Sequence, residues 1–192
     1  LGLPTADPRA ILAAQHKYYA RRLMERAVPE ATPRYAVFPY DVRRAEEVGL
    51  PFPCFVKPVK ATYSILARRA ERFEDVRALM TFRPLERVIL EKLIQPANDL
   101  AADFGMGYDV DTHHMIAEEV LAGTQVTVEG IAHGGTVTIL GIVDAVMYPG
   151  TIAFQRFEYP SAVPADVQAR MAAIAEKAVR ALGFDHGVFN VE

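Results

Sequence analysis

Lys57 stands in the setting that most directly suggests chemistry. It lies in an otherwise apolar run, from Leu50 to Val59. A run this short and this apolar is typical of a buried strand. A buried ammonium group needs an anionic partner, because a desolvated charge is costly unless it is paired. No acid lies beside Lys57 in the sequence. The partner is therefore either an acid brought in by the fold or a bound anion such as phosphate, unless the side chain reaches out to solvent.

A second segment places an acidic pair at the end of a predicted strand. Glu118 and Glu119 are followed by Val120 and Leu121, a glycine turn, and an alternating strand that begins at Gln125. Such a connection forms a hinge between sheet segments, and a flat heterocycle can lie against its exposed backbone groups. The alternative interpretation is a solvated surface.

The third segment is the final strand, 187–192, in which Asn190 and Glu192 alternate with valine and phenylalanine. The period of two residues places both oxygen-bearing side chains on one face. Hard cations such as magnesium prefer carboxylate and carbonyl oxygens. The alternative is a strand whose polar face meets solvent. The five histidines show no metal-ligand spacing, and neither a Walker-type glycine loop nor a serine nucleophile elbow is present.

The elements that must position these residues alternate between helices and strands. Helices are predicted at 8–27, 41–47, 74–80, 85–94 and 164–182. Strands are predicted at 50–59, 64–70, 114–121, 125–131, 136–147 and 187–192. The strands at 114–121, 125–131 and 136–147 are predicted to form an antiparallel meander, with a hairpin turn at His133-Gly-Gly135. Residues 97–113 are predicted to form a long loop.

Composition limits the class of protein. The 192 residues are 51% hydrophobic, which suits one compact domain or two small lobes. The net charge of -3 gives no reason to expect a nucleic-acid or membrane partner. One cysteine, Cys54, fits a reducing compartment, and no apolar run is long enough to span a membrane. We therefore expect a soluble, cytoplasmic protein. The chain begins with Leu1, so we also expect an upstream piece to have been removed.

Taken in this order, the segments resemble the ATP-grasp superfamily over nearly the whole chain. The resemblance is closest to the biotin-carboxylase-like and carboxylate–amine ligase branch. It implies an α+β fold in which two α/β lobes carry antiparallel sheet. It also divides the chain into a helical lead-in at 1–50, a small nucleotide-binding lobe at 51–122 and part of the large lobe at 123–192.

The resemblance assigns the phosphate-binding residues. Lys17, in the first helix, and Lys57 match the family's two phosphate-binding lysines, and Ser64 matches the serine of its phosphate loop. That loop is usually rich in glycine. Here it reads Val-Lys-Ala-Thr-Tyr-Ser from position 59, so we expect the side chains of Lys60, Thr62 and Ser64 to contact the phosphates in place of the backbone.

The hinge and the ribose contact also follow from the resemblance. The Glu118-Glu119-Val-Leu121 segment resembles the adenine hinge, where the backbone groups of Glu118 and Leu121 meet the edge of the base. In the next strand, Gln125 or Glu129 offers a polar side chain to the ribose.

The remaining implied residues concern the metal and the substrate. Glu192 matches the first metal-binding acid, which makes it a Mg²⁺ ligand together with Asn190. Arg156 lies where related ligases bind the carboxylate substrate or the acyl phosphate, and a guanidinium suits a bidentate grip on either group. The alternative for Arg156 is a surface ion pair with Glu158 or Asp144.

The implied activity is that of an ATP-dependent ligase that activates a small carboxylate as an acyl phosphate for attack by an amine. The family's preceding α/β domain and its last metal-binding strand are absent from this sequence. We therefore expect a fragment of a longer enzyme, nearly inactive alone, and the sequence leaves a homo-oligomer open. Two alternatives remain: a nucleotide-binding regulatory module that has lost catalysis, and a protein-interaction domain in which Lys57 is a structural ion pair.

Overall fold

The computed structural model describes residues 4–61, 66–82 and 84–192, with the backbone alone at 84, 86 and 93. The chain divides into two compact units. The first unit comprises Leu12–Arg22 and Thr32–Leu121. The second unit comprises Leu1–Ile11, Leu23–Ala31 and Ala122–Glu192. The three-part division made from the sequence stays a prediction.

The described residues form helices and strands in mixed order. The helices are α1 (Pro8–Gln15), α2 (Lys17–Ala27), α3 (Phe73–Leu79), α4 (Pro84–Asp103) and α5 (Ala165–Ala181). The strands are β1 (Tyr35–Pro39), β2 (Cys54–Pro58), β3 (Arg68–Ala70), β4 (His114–Glu119), β5 (Val126–His133), β6 (Thr136–Met147), β7 (Phe154–Glu158) and β8 (Gly187–Val191). Short 3-10 turns occupy Pro29–Ala31 and Ala45–Val48. Among the described residues, no helix has the length and apolar character needed to cross a membrane.

The first unit contains an antiparallel sheet in the order β1-β4-β2-β3. One face of the sheet belongs to a core that also includes Val76 and Leu79 of α3. Because side chains alternate between the two faces along each strand, the residues between these core residues lie on the opposite face of the sheet. There, Phe55 of β2 pairs with Glu118 of β4, and Lys57 pairs with Ile116. The fold thus places the predicted lysine and the predicted acid on one face of adjacent strands.

The second unit contains an antiparallel sheet in the order β7-β6-β5-β8. Val128 and Ile142 pack with Ala175 of α5 to form its core. On the ladder between β5 and β8, Glu129 lies opposite Asn190. This pairing brings together two residues that the sequence analysis singled out.

Two helix predictions were wrong in their extent. The predicted helix 8–27 is interrupted at His16, where the backbone N–H of Lys17 donates to the carbonyl of Val59 at 2.9 Å. The helix predicted to end before Pro96 continues to Asp103, so the predicted loop 97–113 begins only at Phe104. A proline costs the helix one hydrogen bond. Burial of Ile94 and other apolar residues of α4 offsets that cost, because packing overrides local propensity.

The predicted meander was also wrong. β4 pairs with β1 and β2 in the first unit, whereas β5 and β6 form their hairpin in the second. The pattern detected each strand but not its partner, and it missed β1 and β7 altogether. The helix predicted at 41–47 is a 3-10 turn, Ala45–Val48, ended by Gly49 at φ +77°. Of the strand predicted at 64–70, Arg68–Ala70 is present, and residues 64 and 65 lie outside the described ranges.

Candidate functional site

The carboxylate of Glu118 is the anionic partner of Lys57. Lys57 Nζ donates to Glu118 Oε2 at 2.6 Å, and Arg21 Nε donates to Glu118 Oε1 at 2.7 Å. Glu118 is only 6% exposed, so this acid is buried between two cations. Of the two partners considered for Lys57, the fold supplies the acid.

The two cations keep the buried acid ionised. Burial by itself raises the pKa of Glu118, because an apolar environment disfavours the carboxylate. The charges of Arg21 and Lys57, and the hydrogen bonds that they donate, outweigh this effect and hold the pKa below its ordinary value. Glu118 is therefore a fixed negative charge at neutral pH.

Lys17 lies close to the same group of charges. Its Nζ donates to the carbonyl oxygen of Ala61 at 2.7 Å. Burial, followed by the nearby charges of Lys57 and Lys60, lowers the pKa of Lys17 to about 8, although Glu118 opposes the shift. Burial also lowers the pKa of Lys60, whose Nζ donates to Oε1 of Gln15.

Four cationic side chains thus lie near one another: Arg21 and Lys57 bind the carboxylate of Glu118, and the charges of Arg21, Lys57 and Lys60 all act on Lys17. We call Lys17, Arg21, Lys57 and Lys60 the cation cluster. The cluster carries more positive charge than the one carboxylate neutralises. Burial is the main cause of the lowered pKa of Lys17, and the charges of Lys57 and Lys60 lower it further. An excess of partly buried positive charge is what an anion-binding site requires.

Sequence reasoning missed Arg21. The signal was present, since Arg21 follows Lys17 by four residues and side chains at that spacing lie on the same face of a helix. What local spacing does not give is the partner, because Glu118 lies 97 residues further along the chain.

The residues of the predicted hinge, 118–121, differ in their hydrogen bonds and in their exposure. Glu118 lies opposite Tyr35 of β1 and Phe55 of β2, so strands flank its backbone on both sides. Glu119 exchanges backbone and side-chain hydrogen bonds with Arg34. β4 ends there, and Leu121 is 70% exposed. The predicted contacts of this segment with a base stay predictions, and Leu121 is the residue most accessible for them.

In the second unit, Glu129 is the centre of a small polar group. Its Oε1 accepts hydrogen bonds from Asn190 Nδ2 at 2.6 Å and from Thr127 Oγ1 at 3.1 Å. Glu192 is exposed and directly follows β8. The predicted ribose residue Gln125 accepts a backbone hydrogen bond from Ala145 through its carbonyl oxygen, which leaves the role of its side chain a prediction.

The oxygen-bearing side chains of this group have the chemistry that Mg²⁺ prefers. Within the described ranges, however, no set of three or more His, Cys, Asp or Glu residues is placed to hold a metal ion. The amide of Asn190 is also engaged with Glu129. These residues alone do not fit a complete magnesium site, and the roles predicted for Asn190 and Glu192 stay predictions.

Arg156 lies on the exposed strand β7. Its Nε donates to Glu158 at 2.6 Å and its Nη1 donates to Gln155 at 3.0 Å. The other candidate partner, Asp144, instead accepts a hydrogen bond from the backbone N–H of Ala162. The surface ion pair with Glu158 is therefore present, and the predicted grip on a carboxylate stays a prediction. Ser64 and Thr62 lie outside the described residues.

Several solved structures have a similar fold. The VanG D-Ala:D-Ser ligase from Enterococcus faecalis matches with a TM-score of 0.68 and 18% identity, over 97% of this chain and 50% of that one. An L-amino acid ligase from Bacillus licheniformis matches with a TM-score of 0.68 and 17% identity, over 99% of this chain and 39% of that one. A biotin carboxylase from Campylobacter jejuni matches with a TM-score of 0.62 and 20% identity, over 96% of this chain and 38% of that one.

The similarity is one of structure. No protein-family model matches the sequence, and a search of curated proteins gives no match. The chain spans half or less of the length of these three structures. At identities of 20% or below they establish the fold, and they confirm the α+β fold predicted from the sequence.

Proposed function

Because the chain has the ATP-grasp fold, we propose that it forms the nucleotide-binding part of an ATP-dependent ligase. The enzyme would phosphorylate a small carboxylate, and an amine or similar nucleophile would then displace the phosphate. The observation that carries the proposal is the cation cluster around Glu118. Two of the similar structures are ligases, which supports the same class of reaction.

The cation cluster would bind the phosphates. An ammonium group has three N–H donors. Lys57 gives one of them to Glu118 and Lys17 gives one to Ala61, so each retains donors for phosphate oxygens. Arg21 shares the charge of Glu118, which leaves Lys57 free to neutralise a second anion. In phosphoryl transfer, such positioning and neutralisation supply most of the catalysis.

The remaining predicted residues complete the proposal. Leu121 and its neighbour Glu119 would meet the base, Gln125 or Glu129 would meet the ribose, and Arg156 would hold the carboxylate. ATP-grasp ligases in general use Mg²⁺ with ATP. Asn190 and Glu192 are the residues proposed to contact it. A cytoplasmic location belongs to the same proposal.

The reaction gives a direct test. Transfer of the γ-phosphoryl group to a carboxylate yields an acyl phosphate and ADP, and hydroxylamine converts the acyl phosphate to a hydroxamate and phosphate. We expect the natural full-length protein, given ATP, Mg²⁺ and a panel of carboxylic acids, to form hydroxamate with at least one acid. Lys17→Met should abolish it, because this variant removes a partly buried cation from the cluster. Lys177→Met, which changes an exposed lysine paired at 3.9 Å with Glu30, is the matched control.

Each outcome selects a function. Hydroxamate and ADP formed together, and lost only in Lys17→Met, support the ligase. ATP bound without release of ADP, with every acid tested, favours the regulatory module. A protein that binds no nucleotide contradicts the proposal, and Lys57 is then a structural ion pair in an interaction domain.

A further inference from the structure

At the helix break before Lys17, the backbone hydrogen bond of Lys17 is diverted out of the helix. The N–H of His16 donates to the carbonyl of Leu12 at 3.1 Å, and the N–H of Ala20 donates to the carbonyl of His16 at 2.9 Å, as in a continuous helix. Between them, the N–H of Lys17 donates to Val59, just beyond β2. The break therefore ties the backbone of Lys17 directly to the segment that follows Lys57.

The ring of His16 occupies an unusual environment beside this break. The residue is 4% exposed, and its ring lies 4.7 Å from that of Tyr19 and 5.2 Å from that of Tyr108, between centroids. Neither ring nitrogen has a hydrogen-bond partner by geometry among the described residues, nor does the hydroxyl of Tyr108. A cavity of about 10 Å³, lined in part by Lys60, adjoins them. An imidazole buried in this way costs free energy, so its position calls for an explanation.

The aromatic neighbours are themselves fixed. Tyr19 and Tyr108 stack at 3.8 Å with an angle of 11° between their rings. The hydroxyl of Tyr19 donates to Asp109 and accepts from the N–H of Val110 at 3.0 Å. His16 therefore packs against a rigid surface made by α2 and the loop that follows α4.

We propose that His16 is a positioning residue for Lys17, and that its packed ring sets the turn from which Lys17 reaches Val59 and Ala61. The role rests on the function proposed above, because Lys17 is there a phosphate-binding residue. A smaller side chain would let the turn relax into a continuous helix. Lys17 would then rotate away from the cation cluster, since each residue of a helix turns the side chain by about 100°.

The ring must be neutral to occupy this environment. Burial lowers the pKa of His16 to about 4, and the backbone carbonyl groups of Val110 and Asp111 only partly oppose the shift. The titratable groups that face it are Tyr19, Tyr108, Lys60 and His114. None of these four carries a carboxylate, so a protonated ring would gain no carboxylate partner from them.

The pH profile of Lys17 acylation by an amine-reactive reagent, followed by peptide mass spectrometry, tests the positioning without any nucleotide. In the wild type we expect the midpoint at about 8, because partial burial and the nearby cations lower the pKa of Lys17 to that value. In His16→Ala it should move towards the ordinary value of about 10.4. His16→Phe, which refills the space, should restore the low midpoint, and His133→Ala at the exposed end of β5 should leave it unchanged. An unchanged midpoint in His16→Ala would overturn the proposal.

A double-mutant cycle links the positioning to the proposed function. We expect His16→Ala to weaken ATP binding about tenfold and to have no further effect in a Lys17→Met background. Equal losses in both backgrounds would mean that His16 acts on the fold in general, and would overturn its role through Lys17. If the wild type binds no ATP, the proposed function fails, while the acylation profile still decides whether His16 positions Lys17.

Discussion

The Glu118→Ala variant is expected to lose about 3–5 kcal/mol of unfolding free energy, because it leaves two partly buried cations without their acid. Glu118 binds Arg21 at 2.7 Å and Lys57 at 2.6 Å while itself only 6% exposed. Removing it also leaves Lys17 among positive charges that no longer have Glu118 to offset them. Urea denaturation at pH 7, followed by circular dichroism, measures the loss.

The chain offers a control in the next residue. Glu119 also accepts hydrogen bonds from an arginine, Arg34, but this pair lies at the surface. Exposed ion pairs contribute little to stability, so Glu119→Ala should unfold at nearly the wild-type urea concentration. Lys57→Met should be milder than Glu118→Ala, because Arg21 still neutralises the acid. Equal urea midpoints for Glu118→Ala and Glu119→Ala would contradict the proposal that Glu118 stabilises the two cations it binds.

The second large effect is a loss of stability in mild acid. His16 has a pKa of about 4 in the folded protein against 6.5 for the free group. The folded state therefore binds fewer protons than the unfolded state between these values. Stability is unaffected above pH 6.5 and falls as the pH drops towards 4. The integrated loss is about 3 kcal/mol. His16→Phe has no proton to bind, so its unfolding free energy should decline less over the same interval.

Comparing these two proteins isolates His16 from the other titrating groups. The pKa of His113 is raised overall: burial lowers it, but hydrogen bonds to Glu91 and Asp111 outweigh that effect. Its contribution has the opposite sign, and it is the same in both proteins. The lowered pKa of Glu118 costs stability only below its ordinary value of 4.5. Parallel stability curves for wild type and His16→Phe from pH 7 to 4.5 would contradict the account.

Most of the strands, the helix α5 and the need of Lys57 for an anionic partner could be predicted, since each depends on neighbouring residues. Periodicity and turn residues placed β6 at Thr136–Met147, as observed, and the setting of Lys57 called for an anion. The identity of that anion could not be predicted. Glu118 was singled out for its backbone, but its side chain pairs with a lysine 61 residues away and an arginine 97 residues away.

The wrong predictions also concern contacts between residues that are distant in the sequence. The break at His16 depends on a hydrogen bond from Lys17 to Val59, and nothing in the local pattern of a helix indicates it. The helix through Pro96 persists because α4 buries apolar residues such as Ile94. The strand β4 was identified correctly, but local alternation cannot tell which strands will pair with it. In each case a tertiary contact decides between local alternatives.

Calorimetric titration of ATP, with and without Mg²⁺, into the wild type and Lys57→Met tests most directly that the cation cluster binds a nucleotide. We predict saturable binding that Lys57→Met weakens about 100-fold, the loss of one strong charge-assisted contact, with little change in melting temperature. Lys177→Met should bind as the wild type does. A wild type that binds no ATP, or equal affinities in wild type and a folded Lys57→Met, would contradict the account.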